Sequence, residues 1–269
     1  MKPSSTRLPS ALVLSVCVLL LPAVTARATD KKDVINRARA AYYSLKAKGL
    51  VEFQCNMTPD WESLLKDARQ ADPAGADRAI QTLKQLQFGV SLSPGGSAKI
   101  THTTVKPTNH EMAQGLEKIY GGMEQMVAGF FDTWSPFMMT SPLPEANINY
   151  KLVEATDQWN LSYTDGAAEV FTTMGKDLAV RQLRVRTAEF NSTLLPQFTK
   201  GQDGFLLTGY EAEYYGKSPS ETTKLNVGIS YQEVNGLELP QKLSLGGSYG
   251  GTPFQVYVTF YGCQAKKSP

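Results

Sequence analysis

Apolar positions in residues 31–48 recur at Val34, Ala38, Ala41 or Tyr42, and Leu45, a helical spacing, and Asp30 stands where an N-cap belongs. One apolar stripe on so short a helix requires a sheet or groove to lie against. Directly after Lys48-Gly49 the period falls to two: Val51, Phe53, Cys55 and Met57 alternate with Glu52, Gln54 and Asn56, which predicts a half-buried strand. Thr58-Pro59 then opens a second helix, Thr58 as N-cap, with Trp61, Leu64, Leu65 and Ala68 as its apolar face. Asp72-Pro73 repeats the device for a third helix carrying Ala76, Ile80, Leu83 and Leu86, so residues 58–88 read as a helical insertion between strands. A hairpin with arms at 88–93 and 98–105 follows, turning at Pro94-Gly95-Gly96.

Residues 109–131 are helical again, with Met112, Leu116, Ile119 or Tyr120, Met123, Met126 or Val127, and Phe130 on one side. The pattern runs into Trp134, Pro136, Phe137, Met138 and Met139 and stops at Ser141-Pro142-Leu143-Pro144. Gly121-Gly122 lets this helix bend, or else permits a close backbone contact. Beyond it nearly everything reads as strand, near 147–155, 158–164, 168–173, 178–188, 204–214, 223–233, 238–246 and 253–262. Turns at Thr164-Asp165-Gly166, Gly201-Gln202-Asp203-Gly204, Asn235-Gly236 and Gly246-Gly247 make consecutive strands antiparallel neighbours. So many long strands in succession predict an α+β fold: a strongly curved, open antiparallel sheet, an incomplete barrel, with helices covering its concave face.

Composition changes this picture at the N-terminus. Lys2 and Arg7 precede an apolar run from Ala11 to Val24 and a small-residue exit at Ala26-Arg27-Ala28, the layout of a secretory signal at residues 1–28. The run has 14 residues, short of the roughly 20 a membrane-crossing helix needs. Cys17 sits inside that run, preceded by Val16 rather than a small residue, and reads as one of its members rather than an acylation site. Cleavage takes three of the 27 basic residues and none of the 25 acids, so 24 remain and the net charge falls near −1. That balance gives no reason to expect a nucleic-acid partner. The expectation is a single domain over 29–269, periplasmic or secreted, with no transmembrane segment after cleavage.

Cys55 and Cys263 survive cleavage, and an even pair in an oxidising compartment suggests a disulfide. Strict alternation from Phe254 nevertheless puts Cys263 on the face opposite Cys55. The bridge therefore needs a bulge at Gly262 that resets the parity, and without one the two are buried thiols.

Val34-Ile35-Asn36-Arg37-Ala38 through Leu45-Lys46-Ala47-Lys48-Gly49-Leu50-Val51-Glu52-Phe53 leads an amphipathic helix straight into a strand, and Val227-Gly228-Ile229-Ser230-Tyr231-Gln232-Glu233-Val234-Asn235-Gly236-Leu237-Glu238-Leu239-Pro240-Gln241-Lys242-Leu243 forms a strand-turn-strand. Together these resemble the periplasmic lipoprotein-carrier superfamily typified by the outer-membrane lipoprotein-sorting proteins. The resemblance implies an incomplete barrel whose apolar concavity receives acyl chains, or serves as a sensor. The 58–88 insertion departs from the small carriers and points to a divergent branch.

Acyl chains offer no hydrogen-bonding groups, so their carrier needs an apolar wall, and methionine suits a wall that must adapt. Met123, Met126, Phe130, Phe131, Trp134, Phe137 and Met138 are the candidate ligand-lining residues; the bland alternative is that this segment is simply core. Arg181, Arg184 and Arg186 form the basic cluster, a candidate contact for a headgroup or a protein partner, or else a solvated strand face. No enzyme constellation emerges. His102 and His110 lack the further ligands a metal site needs. Gly246-Gly247-Ser248-Tyr249-Gly250 matches a nucleophile elbow but runs into an alternating strand, with no histidine downstream. The sequence therefore predicts a non-enzymatic carrier of a lipid or acylated protein, without cofactor; the alternative is an envelope sensor or scaffold that binds another protein.

Overall fold

Two-residue turns join four pairs of consecutive strands, after Asp165, Gly201, Val234 and Tyr249. At Asn235-Gly236 both residues adopt positive φ, 54° and 74°, the twist that matches antiparallel strands. The computed structural model describes residues 30–95, 97–145, 147–216 and 222–268. The expected signal peptide, residues 1–28, lies outside the described residues, as does Gly96 of the expected Pro94-Gly95-Gly96 turn.

The strands are β1 (Leu50–Pro59), β2 (Phe88–Leu92), β3 (Lys99–His102), β4 (Tyr150–Glu154), β5 (Gln158–Asp165), β6 (Ala168–Gly175), β7 (Val180–Arg186), β8 (Asn191–Gly201), β9 (Gly204–Tyr215), β10 (Thr223–Val234), β11 (Leu237–Tyr249) and β12 (Thr252–Lys267). They form one open antiparallel sheet in the order β3-β2-β1-β12-β11-β10-β9-β8-β7-β6-β5-β4, so β4 to β12 is an unbroken meander and β1 closes onto β12. Nine strands share one transverse row, Leu152, Leu161, Thr172, Leu183, Leu194, Ala212, Leu225, Gly247 and Phe254, each paired with the next. That row lies on the buried face.

Strand β8 lies in a stretch the sequence pattern leaves unassigned. Pro196 interrupts it, and a bulge between Gln197 and Phe198 shifts its parity, which hides the alternation. Gly246 and Gly247 are not a turn but mid-strand in β11, and the turn falls at Gly250-Gly251 instead. A Cβ on Gly247 would meet the Lys224 carbonyl oxygen at 1.9 Å, so this glycine serves a close backbone approach.

Helix α1 spans Lys31–Ala40, with Asp30 accepting from the Lys32 N–H. It ends well short of residue 48 because the chain then turns into the sheet. Pairing of β9 with β10 stops at Gly209–Gly228, and the two strands part. Residues 41–43 fill the gap: the Phe205 N–H donates to the Ala41 carbonyl at 2.8 Å, and the Tyr43 N–H to the Phe205 carbonyl at 3.1 Å. Within the same gap the Tyr231 hydroxyl donates to the Leu207 carbonyl and accepts from Trp134 Nε1 at 3.0 Å.

Thr58 and Pro59 belong to β1 rather than to a helix start. Asp60 caps α2 (Trp61–Leu64) by accepting from the Ser63 N–H, and α3 (Lys66–Ala71) follows. Asp72 caps α4 (Pro73–Leu83), as its Asp-Pro spacing predicts. Helix α5 runs from His110 to Met138, longer than the pattern suggested. Pro136 lies in its last turn, where the lost N–H costs a single hydrogen bond. Among the described residues no helix is long and apolar enough to cross a membrane.

Cys55 and Cys263 are bridged, with Cα atoms 4.1 Å apart. The register between β1 and β12 slips between Gln54 and Asn56, opposite Gly262 at φ 59°, and that bulge turns Cys263 to the face of Cys55. A second slip, between Leu50 and Glu52, leaves Val51 on the exposed face and buries Leu50 in its place.

Candidate functional site

Helix α5 presents two stripes to the sheet. One is packed solid: Met123, Val127, Phe131, Trp134, Phe137 and Met138 are buried, Phe131 against Phe53 and Phe260, Phe137 against Phe198. The neighbouring stripe, Gly122, Met126, Gly129 and Thr133, packs less closely and touches β9 through the Thr133 hydroxyl. It forms one wall of an apolar groove of about 580 Å³. Phe130 belongs to both regions, buried and still on the groove wall.

The opposite wall comes from four consecutive strands: Tyr210 and Tyr214 of β9, Thr223 and Leu225 of β10, Leu245 and Tyr249 of β11, and Phe254 and Val256 of β12. These positions share the buried side of the sheet because their register partners coincide, Ala212 with Leu225, Val227 with Leu245, and Leu245 with Val256. The groove reaches the surface beside Tyr249, a residue 64% exposed. Glycine explains why the helix leaves this space. A Cβ at Gly122 or Gly129 would have no neighbour within 4 Å, so both positions open the wall rather than admit a tight backbone contact. The same holds for Gly121, which removes close packing as the reason for the Gly121-Gly122 pair.

Polar side chains interrupt the apolar lining at Gln125, Asp132, Thr133, Tyr214, Thr223 and Tyr249, and the buried Tyr210 adds a hydroxyl within it. The Thr133 and Tyr214 hydroxyls lie 3.4 Å apart across the groove and share a hydrogen bond. Burial pushes the Tyr210 hydroxyl well above the ordinary tyrosine range, so this wall stays uncharged. Gln125 and Asp132 complete the helix side, and Asp132 is the one charged side chain among the described residues lining the groove.

No family model matches this chain, and neither does any curated protein or solved structure. What the site can do therefore rests on its own chemistry.

Of the residues singled out in the sequence, Met126 and Phe130 line the groove. Met123, Phe131, Trp134, Phe137 and Met138 lie in the packed core beneath it. The arginines lie elsewhere. Arg184 and Arg186 pair across β7 with outward positions of β6 and β8, Arg184 standing 5.7 Å above the Phe171 ring and Arg186 3.8 Å from Glu169. Arg181 is held by Asp177. His102 stacks on Tyr120 with ring centroids 4.0 Å apart, and His110 Nε2 contacts Gln114 at the start of α5. Sequence reasoning missed the strand wall. Alternation marked Leu225 and Phe254 as facing one way, but nothing local says which strands stand opposite the gap in a distant helix.

Proposed function

We propose that this protein is an exported, non-enzymatic binding or carrier protein for the acyl chain of a lipid or acylated protein, held in the groove between α5 and strands β9 to β12. The observation that carries the reading is the groove's makeup: Met126, Phe130, Leu225, Leu245, Phe254 and Val256 form nearly continuous apolar walls that open to solvent. Its 580 Å³ falls within the ~300–1,000 Å³ common for ligand sites. Each methylene transferred from water to such a wall contributes about 0.8 kcal/mol.

The path of α5 supports a sheet bent around its helix. Tyr120 reaches His102 on β3, and Phe137 reaches Phe198 on β8. Along the helix these residues are separated by ~25 Å. Seven strand spacings separate β3 from β8, ~34 Å along the sheet. A chord shorter than its arc is what a helix on the concave side requires. The Cys55–Cys263 bridge supports an oxidising compartment, in keeping with the signal-like residues 1–28. The resemblance to lipoprotein carriers points the same way. The outward tyrosines Tyr257 and Tyr261, each more than two-fifths exposed on β12, favour the second reading, a scaffold that meets an envelope protein through its sheet.

Native mass spectrometry of the mature chain, purified without detergent, tests the proposal. Gly129→Leu supplies the control. It fills the groove from an exposed helical position, so it should leave the fold intact and remove the adduct. An adduct of lipid mass on the wild type that is absent from Gly129→Leu supports carriage. A bare mass for both, even after incubation with phospholipid vesicles, overturns it.

A further inference from the structure

The walls of the groove call for an apolar chain, and its rim selects what that chain is attached to. Around the mouth stand the hydroxyls of Thr133, Tyr214, Thr223 and Tyr249, the amide of Gln125 and the carboxylate of Asp132. Neither lysine nor arginine is among the described residues lining it. Lys224, next to Thr223, belongs to the other face of β10, where Glu213 holds it at 2.9 Å. The arginine cluster of β7 is likewise on the outward face.

Resting on the groove reading above, we infer that the preferred ligand is a single-chain amphiphile with a cationic, amine-type headgroup, paired with Asp132 at the groove mouth. An anionic headgroup seated there would face a carboxylate beside apolar walls that screen it less than water does. An ammonium would find an opposite charge and hydroxyl acceptors. Asp132 is exposed, so the preference is modest, about two- to fivefold for one solvent-facing pair. It also falls with added salt.

The test uses the mature chain and three probes that share a tetradecyl chain: a primary ammonium, a maltoside and a carboxylate, each below its micelle concentration, titrated by calorimetry. The expected order is ammonium tightest, maltoside intermediate and carboxylate weakest, with Asp132→Asn bringing the ammonium to the level of the maltoside. Equal affinity for all three, or an order unchanged in Asp132→Asn, overturns the headgroup inference and leaves the groove standing. Failure of all three to bind, or binding undiminished in Gly129→Leu, overturns the groove and this inference with it.

Discussion

The Tyr43 hydroxyl accepts a hydrogen bond from the Glu238 backbone N–H at 2.8 Å, tying the segment after the first helix to the start of β11, 195 residues away. Together with the Ala41–Phe205–Tyr43 backbone bonds, it seals the place where β9 and β10 diverge. Removing this hydroxyl deprives the backbone donor of its partner. Tyr43→Phe should cost about 1–3 kcal/mol, read as a lowered denaturant midpoint with the slope unchanged.

Alkaline pH should unfold the protein steeply. Burial pushes Tyr43 and Tyr163 up to about 12, and it also raises Tyr42, Tyr210 and Tyr231. In the unfolded chain these hydroxyls ionise near 10. Below that pH their contribution is fully present; above it the unfolded state gives up protons that the folded state keeps, and stability falls. Denaturant midpoints followed upward from neutral pH should be flat until about pH 10 and then drop. A midpoint that stays flat well above that pH would contradict this.

The disulfide joins positions 208 residues apart. In the chain-entropy picture, closing such a loop contributes about 5 kcal/mol. Reductant, or paired Cys55→Ala and Cys263→Ala substitutions, should lower the denaturant midpoint by the same amount. A reduced wild type markedly less stable than the double variant would mean that the thiols themselves do harm.

Two glycines should respond oppositely to alanine. Gly121 lies in α5 with nothing near its missing Cβ, so Gly121→Ala should stabilise by about 1 kcal/mol through helix propensity. Gly247→Ala would drive a methyl to 1.9 Å from the Lys224 carbonyl and should force β10 and β11 apart. Thermal melts of the two variants, shifted in opposite directions, check the pair.

Filling the groove from the strand side offers a test independent of the helix. Leu245→Trp enlarges a side chain that faces Met126 and Phe130 across the space. Binding of a tetradecyl probe should fall at least tenfold, while far-ultraviolet circular dichroism keeps its β signature.

What the sequence determined by itself was local. Asp30 and Asp72 cap helices where their spacing says they should, the period-two runs of β1, β10 and β12 are strands, and Asn235-Gly236 turns a hairpin, because neighbouring residues decide capping, alternation and turn geometry. Bulges broke that legibility. One shift at Gly262 reversed the apparent face of Cys263, another hid β8, and a third sent Val51 outward, since a single extra residue flips every side chain that follows it. Tertiary structure alone decided that β9 and β10 part to admit residues 41–43, and that Met126 faces a space while Met123 is packed solid. Both are matters of which distant strand lies opposite a given residue, and no local period carries that information.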